Sequence, residues 1–381
     1  MAPLFLPRLL ETILLLLVAM VANGDLATGG CRGLPRYTRV FCFGNSLTDT
    51  RNAVIFPLTA GGSFTRPPYG ETQFGHPSGR ASDGRLIIDF LVEELKVPQP
   101  APYLAGRTAA DFLNGTNFAA GGATALDPAF LASRGLDMHC GFTEQRKILE
   151  TSFLFVGEIG VNDYLYALSS NHSVDVTASL APHIIGAIRS VLTVRINSTD
   201  STSYIYVTSA DEPSLASSLD TDAWDRAHAP WVSAGASTVV VTGMLPLGCE
   251  PQLLALFPGS SGDHDLATGC TAREVAELHN CTEAYPCMLG ELRLAHPGKS
   301  LLYADIYRPV VKAVASPTSY GFGSRPLGGG GGGAYNFNLT AFCGAPGSTA
   351  CADPSKPVLW DGIHTSPRPP TGSSRVPCRG S

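Results

Sequence analysis

An α/β fold with a mainly parallel central sheet is what the sequence predicts, on three observations. Apolar runs of strand length stand at 39–44 (RVFCFG), 153–160 (FLFVGEIG), 237–245 (STVVVTGML) and 300–307 (SLLYADIY). Amphipathic patterns separate them at 86–95, 180–194 and 274–296, and strand–helix alternation at this spacing builds parallel sheets. The apolar runs are continuous rather than alternating, as expected of strands covered by helices on both faces. In the last helical pattern Pro286 lacks an N–H and crowds the preceding turn, so it kinks or breaks that helix.

The chain has 381 residues, 44% hydrophobic and 15% charged, enough apolar material for a substantial core. A single domain over residues 36–365 is expected. The Ser-, Thr- and Asp-rich stretch 195–231 reads as an insertion, the six glycines 328–333 as a mobile loop, and 366–381 as an irregular Pro-rich tail. A net charge of −6, from 26 Lys+Arg against 32 Asp+Glu, argues against nucleic acid or an anionic membrane as the main partner.

The N-terminus predicts secretion. Arg8 precedes the apolar run LLETILLLLVAMVANG, which ends in small residues. A basic start, an apolar middle and a small-residue exit make a signal peptide over residues 1–24. The run is short for a membrane anchor and carries Glu11. In an oxidising compartment the ten cysteines are disulfide candidates; Cys343 with Cys351 and Cys249 with Cys270 are possible pairs, and no zinc-finger spacing occurs. Five Asn-x-Ser/Thr sites, Asn114, Asn171, Asn197, Asn280 and Asn338, are glycosylation candidates.

Four segments could carry chemistry. The first strand runs straight into Gly44-Asn45-Ser46, which is good turn chemistry and equally a way to present a serine nucleophile at the carboxyl end of a strand. Asp361 and His364, three apart in LWDGIHTS, can place a carboxylate against an imidazole; a plain surface turn fits too. In NFAAGGATAL (117–126) a glycine pair lets backbone N–H groups approach a ligand, or simply forms a turn. Asn162, after the run VGEIG, could donate to a developing oxyanion or cap the following helix. All four sit at expected strand ends, in one order.

On those blocks, FGNSLTDT, NFAAGGATA, GVND and DGIH, the chain resembles the plant GDSL-type esterase/lipases of the SGNH hydrolase superfamily. SDGRLIIDFL (82–91), VVVTGMLPLGCEP (239–251) and GKSLLYADIYRPV (298–310) are further matches, and the likeness spans most of residues 36–364. The resemblance implies a flavodoxin-like three-layer α/β/α fold and hydrolysis of carboxylic esters, lipid, plant-wall or specialised-metabolite, with no metal or cofactor. It implies Ser46 as nucleophile, His364 as base and Asp361 as its orienting acid. Ser46 N–H, Gly122 N–H and the Asn162 side chain would form the oxyanion hole, with Gly121 the alternative within its pair. An acyltransferase using the same triad and a non-catalytic binding protein on the same fold are the competing readings. Against the family pattern, Asn45 replaces Asp, Arg51 replaces Gly, the stretch after Leu126 is abbreviated, and the tail replaces a C-terminal helix.

Overall fold

The computed structural model describes residues 37–57, 59–126, 141–142, 152–170, 173–193, 207–208, 238–271, 288–297, 299–324, 327, 335, 337–338, 341–349 and 353–366. The expected signal peptide 1–24, the glycine run, the tail from 367, and Asn171, Asn197, Asn280 and Cys351 lie outside them. So do nearly all of 195–231 and residues 274–287 of the third helical pattern.

Strands β1 (Arg39–Phe43), β2 (Ala101–Pro102), β3 (Gly115–Asn117), β4 (Gly141–Phe142), β5 (Ser152–Val156), β6 (Val207–Thr208), β7 (Thr238–Thr242) and β8 (Ser300–Ala304) follow in chain order. Six of them form one sheet in the order β2-β3-β1-β5-β7-β8, every pair parallel. Beyond the two-residue edge strand β2, this is the 2-1-3-4-5 order of flavodoxin-like sheets. β4 and β6 pair antiparallel, apart from the main sheet.

Why the central strands read as unbroken apolar runs is visible in their packing. Every residue of β5 and β7 is buried. Leu154, Val156, Val239 and Val241 face one core with the helices Val161–Ser169 and Ala181–Thr193, while Phe153, Phe155 and Val240 face the other with the helices Ile87–Leu95 and Tyr307–Ala315. Helix, sheet and helix therefore form three layers. The fold expectation holds.

The strands are shorter than their apolar runs. The run at 153–160 leaves the sheet after Val156: Gly157 lies so close to the first loop that a Cβ would come within 2.0 Å of Thr48 Oγ1. The run at 300–307 stops at Ala304 because the Asp305 side chain accepts the Tyr307 and Arg308 N–H groups at 3.0 Å and starts a helix. Likewise the run at 237–245 ends at Thr242.

Cys249 and Cys270 form a disulfide; that pair of the two considered is present, across a sequence separation of 21 residues. Asn114 and Asn338 are exposed. Among the described residues no helix is long and apolar enough to cross a membrane. Closing a loop of this size restricts the unfolded chain, so the double change Cys249→Ala/Cys270→Ala is expected to lower unfolding stability by about 3 kcal/mol, measured by urea denaturation of the two proteins.

Candidate active site

The loop after β1 is built by hydrogen bonds to its own backbone. Gly44 takes φ 128°, a left-handed conformation open to glycine, and a Cβ there would meet the Glu158 carbonyl oxygen at 3.0 Å. The Asn45 carbonyl accepts Thr48 N–H (3.0 Å) and Asp49 N–H (2.9 Å), and its side-chain Oδ1 accepts Leu47 N–H at 3.1 Å. Ser46 sits inside this turn.

Asp49 then binds the turn to the glycine block. Its carboxylate accepts Arg51 N–H (2.8 Å), Asn52 N–H (2.6 Å), Ala53 N–H (2.8 Å) and Gly121 N–H (2.8 Å). Asn52 donates to the Asn117 and Ala119 carbonyls, and Asn117 to the Thr48 carbonyl. Arg51 itself is exposed.

Ser46 meets a residue 318 positions away. His364 Nε2 lies 2.8 Å from Ser46 Oγ, and His364 Nδ1 lies 2.6 Å from Asp361 Oδ2. Asp361 Oδ1 also accepts the Ile363 and His364 N–H groups at 3.0 and 2.7 Å. Burial alone would raise the Asp361 carboxyl, but His364 and these N–H donors outweigh it and hold it below the usual carboxylate range. A fourth donor, Tyr69 OH, reaches Asp361 Oδ2 at 2.9 Å. Burial first, then the Asp361 charge, push this phenol well above its usual value, so it keeps its proton. Tyr69 stacks edge-on against Trp360 and Phe64, and Phe64 against the His364 ring at 5.9 Å. The Asp361–His364 segment is not at the end of a sheet strand as expected; Leu359 makes only isolated bridges, and the loop is closed by Trp360 N–H to the His364 carbonyl at 2.9 Å.

The remaining candidates surround the same turn. Gly121 N–H is donated to Asp49, whereas neither Gly122 N–H nor Ser46 N–H is donated to another group among the described residues. Gly122 takes φ 85°. Asn162 does not cap its helix: Gly160 holds that position and Asn162 is the second helical residue. One hydrogen of its amide goes to the Ala123 carbonyl at 2.8 Å; the amide carries two. A cavity of about 430 Å³ opens beside Gly121, walled by Ala53, Ala60, Gly62, Phe64 and Phe342.

Sequence reasoning missed Asp49, Tyr69 and Glu158. Asp49 and Glu158 left a trace, each an acid just before a helix whose first N–H groups it accepts; Tyr69 acts on a segment far away along the chain.

Burial raises several carboxyls here above their ordinary values: Asp49 and Asp83 to about 6, Asp163 to about 7 and Glu158 to about 8. In each case the folded protein holds its proton more tightly than the unfolded chain. The stability these groups contribute is therefore complete below about pH 4 and is lost as pH rises through 6 to 8. Asp361 works the other way, losing its contribution in acid. The melting temperature is expected to be higher near pH 5 than near pH 8, checked by calorimetry; a flat or opposite trend would contradict these burial effects.

Comparison with known proteins agrees with this architecture. The family described as GDSL-like Lipase/Acylhydrolase matches residues 40–368. The Arabidopsis thaliana proteins named GDSL esterase/lipase At1g28600 and At1g31550 are 32% and 33% identical to this chain, covering 87% and 86% of it and 81% and 80% of their own lengths. GDSL esterase/lipase At5g45910, also from Arabidopsis thaliana, is 34% identical over 86% of this chain and 87% of its own length. With the parallel sheet and the ordered sequence blocks, these matches show that the chain belongs to the GDSL-like lipase/acylhydrolase family.

Proposed function

We propose that this protein is a secreted serine esterase that hydrolyses carboxylic esters carrying short apolar acyl groups. The observation that carries the reading is the unbroken line from Ser46 Oγ through His364 to Asp361, at 2.8 and 2.6 Å. With Nδ1–H donated to Asp361, the lone pair of Nε2 faces the Ser46 hydroxyl. Nε2 takes the hydroxyl proton as Oγ bonds to the ester carbonyl carbon. The negative charge gathering on the carbonyl oxygen is met by the Ser46 and Gly122 N–H groups and the second hydrogen of the Asn162 amide. The tetrahedral intermediate then collapses, and the imidazolium, stabilised by Asp361, protonates the departing alcohol. A water activated by the same nitrogen releases the acid from Ser46.

The cavity beside Gly121 supports the acyl preference. Its volume of about 430 Å³ is near the lower end of the roughly 300–1,000 Å³ typical of ligand clefts, and among the described residues its walls carry no charged side chain. The disulfide and the exposure of Asn114 and Asn338 favour an oxidising, glycosylating compartment.

Two measurements test the reading. In an ester panel varying acyl length, turnover is expected to fall as the chain lengthens, and Ser46→Ala to lower kcat by roughly a thousandfold or more. Ser46→Ala turning over a short-chain aryl ester as fast as the unchanged protein would end the assignment. Tyr69→Phe keeps the aromatic packing but removes a donor from the Asp361 carboxylate. A hydrogen bond to a charged group contributes about 1.5–3 kcal/mol to stability, so the melting temperature is expected to fall by a few degrees and kcat, measured below the transition, to drop about tenfold as the carboxylate that orients His364 loses a donor.

A further inference from the structure

The loops that carry Ser46 and Asn162 leave neighbouring strands in step. β1 and β5 pair up to Phe43 and Val156, and their pairing continues past the strand ends through Gly157 N–H to the Phe43 carbonyl (2.8 Å) and Asn45 N–H to the Glu158 carbonyl (3.1 Å). Beyond this point the backbone ladder stops and a side chain takes over. Glu158, buried between the loops, accepts the Asn45 side-chain amide on Oε2 and the Val161 N–H on Oε1, the latter at 3.0 Å. Val161 opens the helix whose next residue is Asn162, and Asn45 closes the turn over Ser46 through Leu47 N–H.

We propose that Glu158 is a positioning residue that fixes the distance between the Ser46 hydroxyl and the Asn162 amide by bridging their two loops. The proposal rests on the esterase reading, because the distance matters only if those groups act on one carbonyl. Glu158 touches no reacting atom. It is suited to the task because each of its oxygens accepts from a donor on a different loop, the hydroxyl oxygen of its protonated form keeping a lone pair for this, so neither loop can shift without breaking a bond. Asn45 is the matching half. Its Oδ1 already accepts Leu47 N–H, so its amide hydrogens must point at an acceptor. A carboxylate at position 45 would instead turn an acceptor toward Glu158, and the pair would need a shared proton.

The contact can be inverted. Glu158→Gln places an amide hydrogen against a donor, from Asn45 or from Val161, and one bridge is lost. In the double variant Asn45→Asp/Glu158→Gln, the carboxylate introduced at position 45 accepts from the amide introduced at position 158. The side-chain carbonyl oxygen at 158 still accepts Val161 N–H, so both bridges return. A misplacement of about 1 Å at a reacting group costs on the order of a hundredfold in rate. Glu158→Gln is therefore expected to lower kcat tenfold to a hundredfold with KM changed less than about threefold, and the double variant to recover to within about threefold of the original kcat. Glu158→Asp, one methylene too short to span both donors, reports the same loss if the glutamine variant does not fold. Each is measured on purified full-length protein with a short-chain aryl ester, with far-ultraviolet circular dichroism as the check on folding. Unchanged kcat in a folded Glu158→Gln or Glu158→Asp protein, or a folded double variant no faster than Glu158→Gln, would overturn the role of Glu158. Failure of the unchanged protein to turn over any ester or to be labelled at Ser46 by an organophosphonate would instead remove the esterase reading, so the two failures are distinct.

Discussion

The contact between His364 Nε2 and Ser46 Oγ is the constraint around which this molecule is arranged. The two residues are 318 positions apart, yet separation is not the difficulty: each doubling of a closed loop costs only about 0.6 kcal/mol. Holding two side chains at hydrogen-bonding distance is harder, because each must be fixed against movement. The sheet solves half of it. Ser46 stands where β1 leaves the centre of six parallel strands, the edge at which ligands gather in such folds. The other half falls to an irregular loop, tied by Ser366 N–H to the Val358 carbonyl (2.8 Å), Trp360 N–H to the His364 carbonyl (2.9 Å) and Gln252 N–H to the Gly362 carbonyl (3.1 Å).

Much of this was legible in the amino-acid order. β5 and β7 are buried on both faces, so no polar residue interrupts them and the runs stand out. Ser46, Asp361, His364 and Asn162 belong to short blocks in which residue type and spacing carry the chemistry. Gly122 was set ahead of Gly121 by the family resemblance alone, since the two differ only in what their N–H groups meet, and Asp49 takes the Gly121 N–H from 72 positions away. Tyr69 was hidden for a similar reason: its partner Asp361 is 292 positions distant, and no periodicity or turn rule connects them. The strand ends were overrun because apolar residues continue into the loops, where the backbone pairing runs on only as far as Gly157 and Glu158 and the side chain of Asp305 turns the chain into a helix.

A pattern joins the polar residues beneath the loops. Asp49, Asn52, Asn117 and Asn45 are all buried, and each uses its side chain to satisfy backbone groups of a segment it does not adjoin or a buried acid. Buried polar groups are costly unless paired, so a network of this kind is sensitive to any one substitution within it. It also permits a loop-built centre with little regular structure of its own, because the loops take their shape from one another.

The disulfide lies nearer to this centre than its place in the chain suggests. Cys249 stands three residues before Gln252, whose N–H holds the carbonyl of Gly362, between the acid and the imidazole. The choice of production host therefore reaches the reaction. Material made in a reducing bacterial cytosol, where thiols are kept unpaired, would carry a slacker brace under the histidine loop, and poor turnover from such a preparation would reflect how the protein was made rather than what it is.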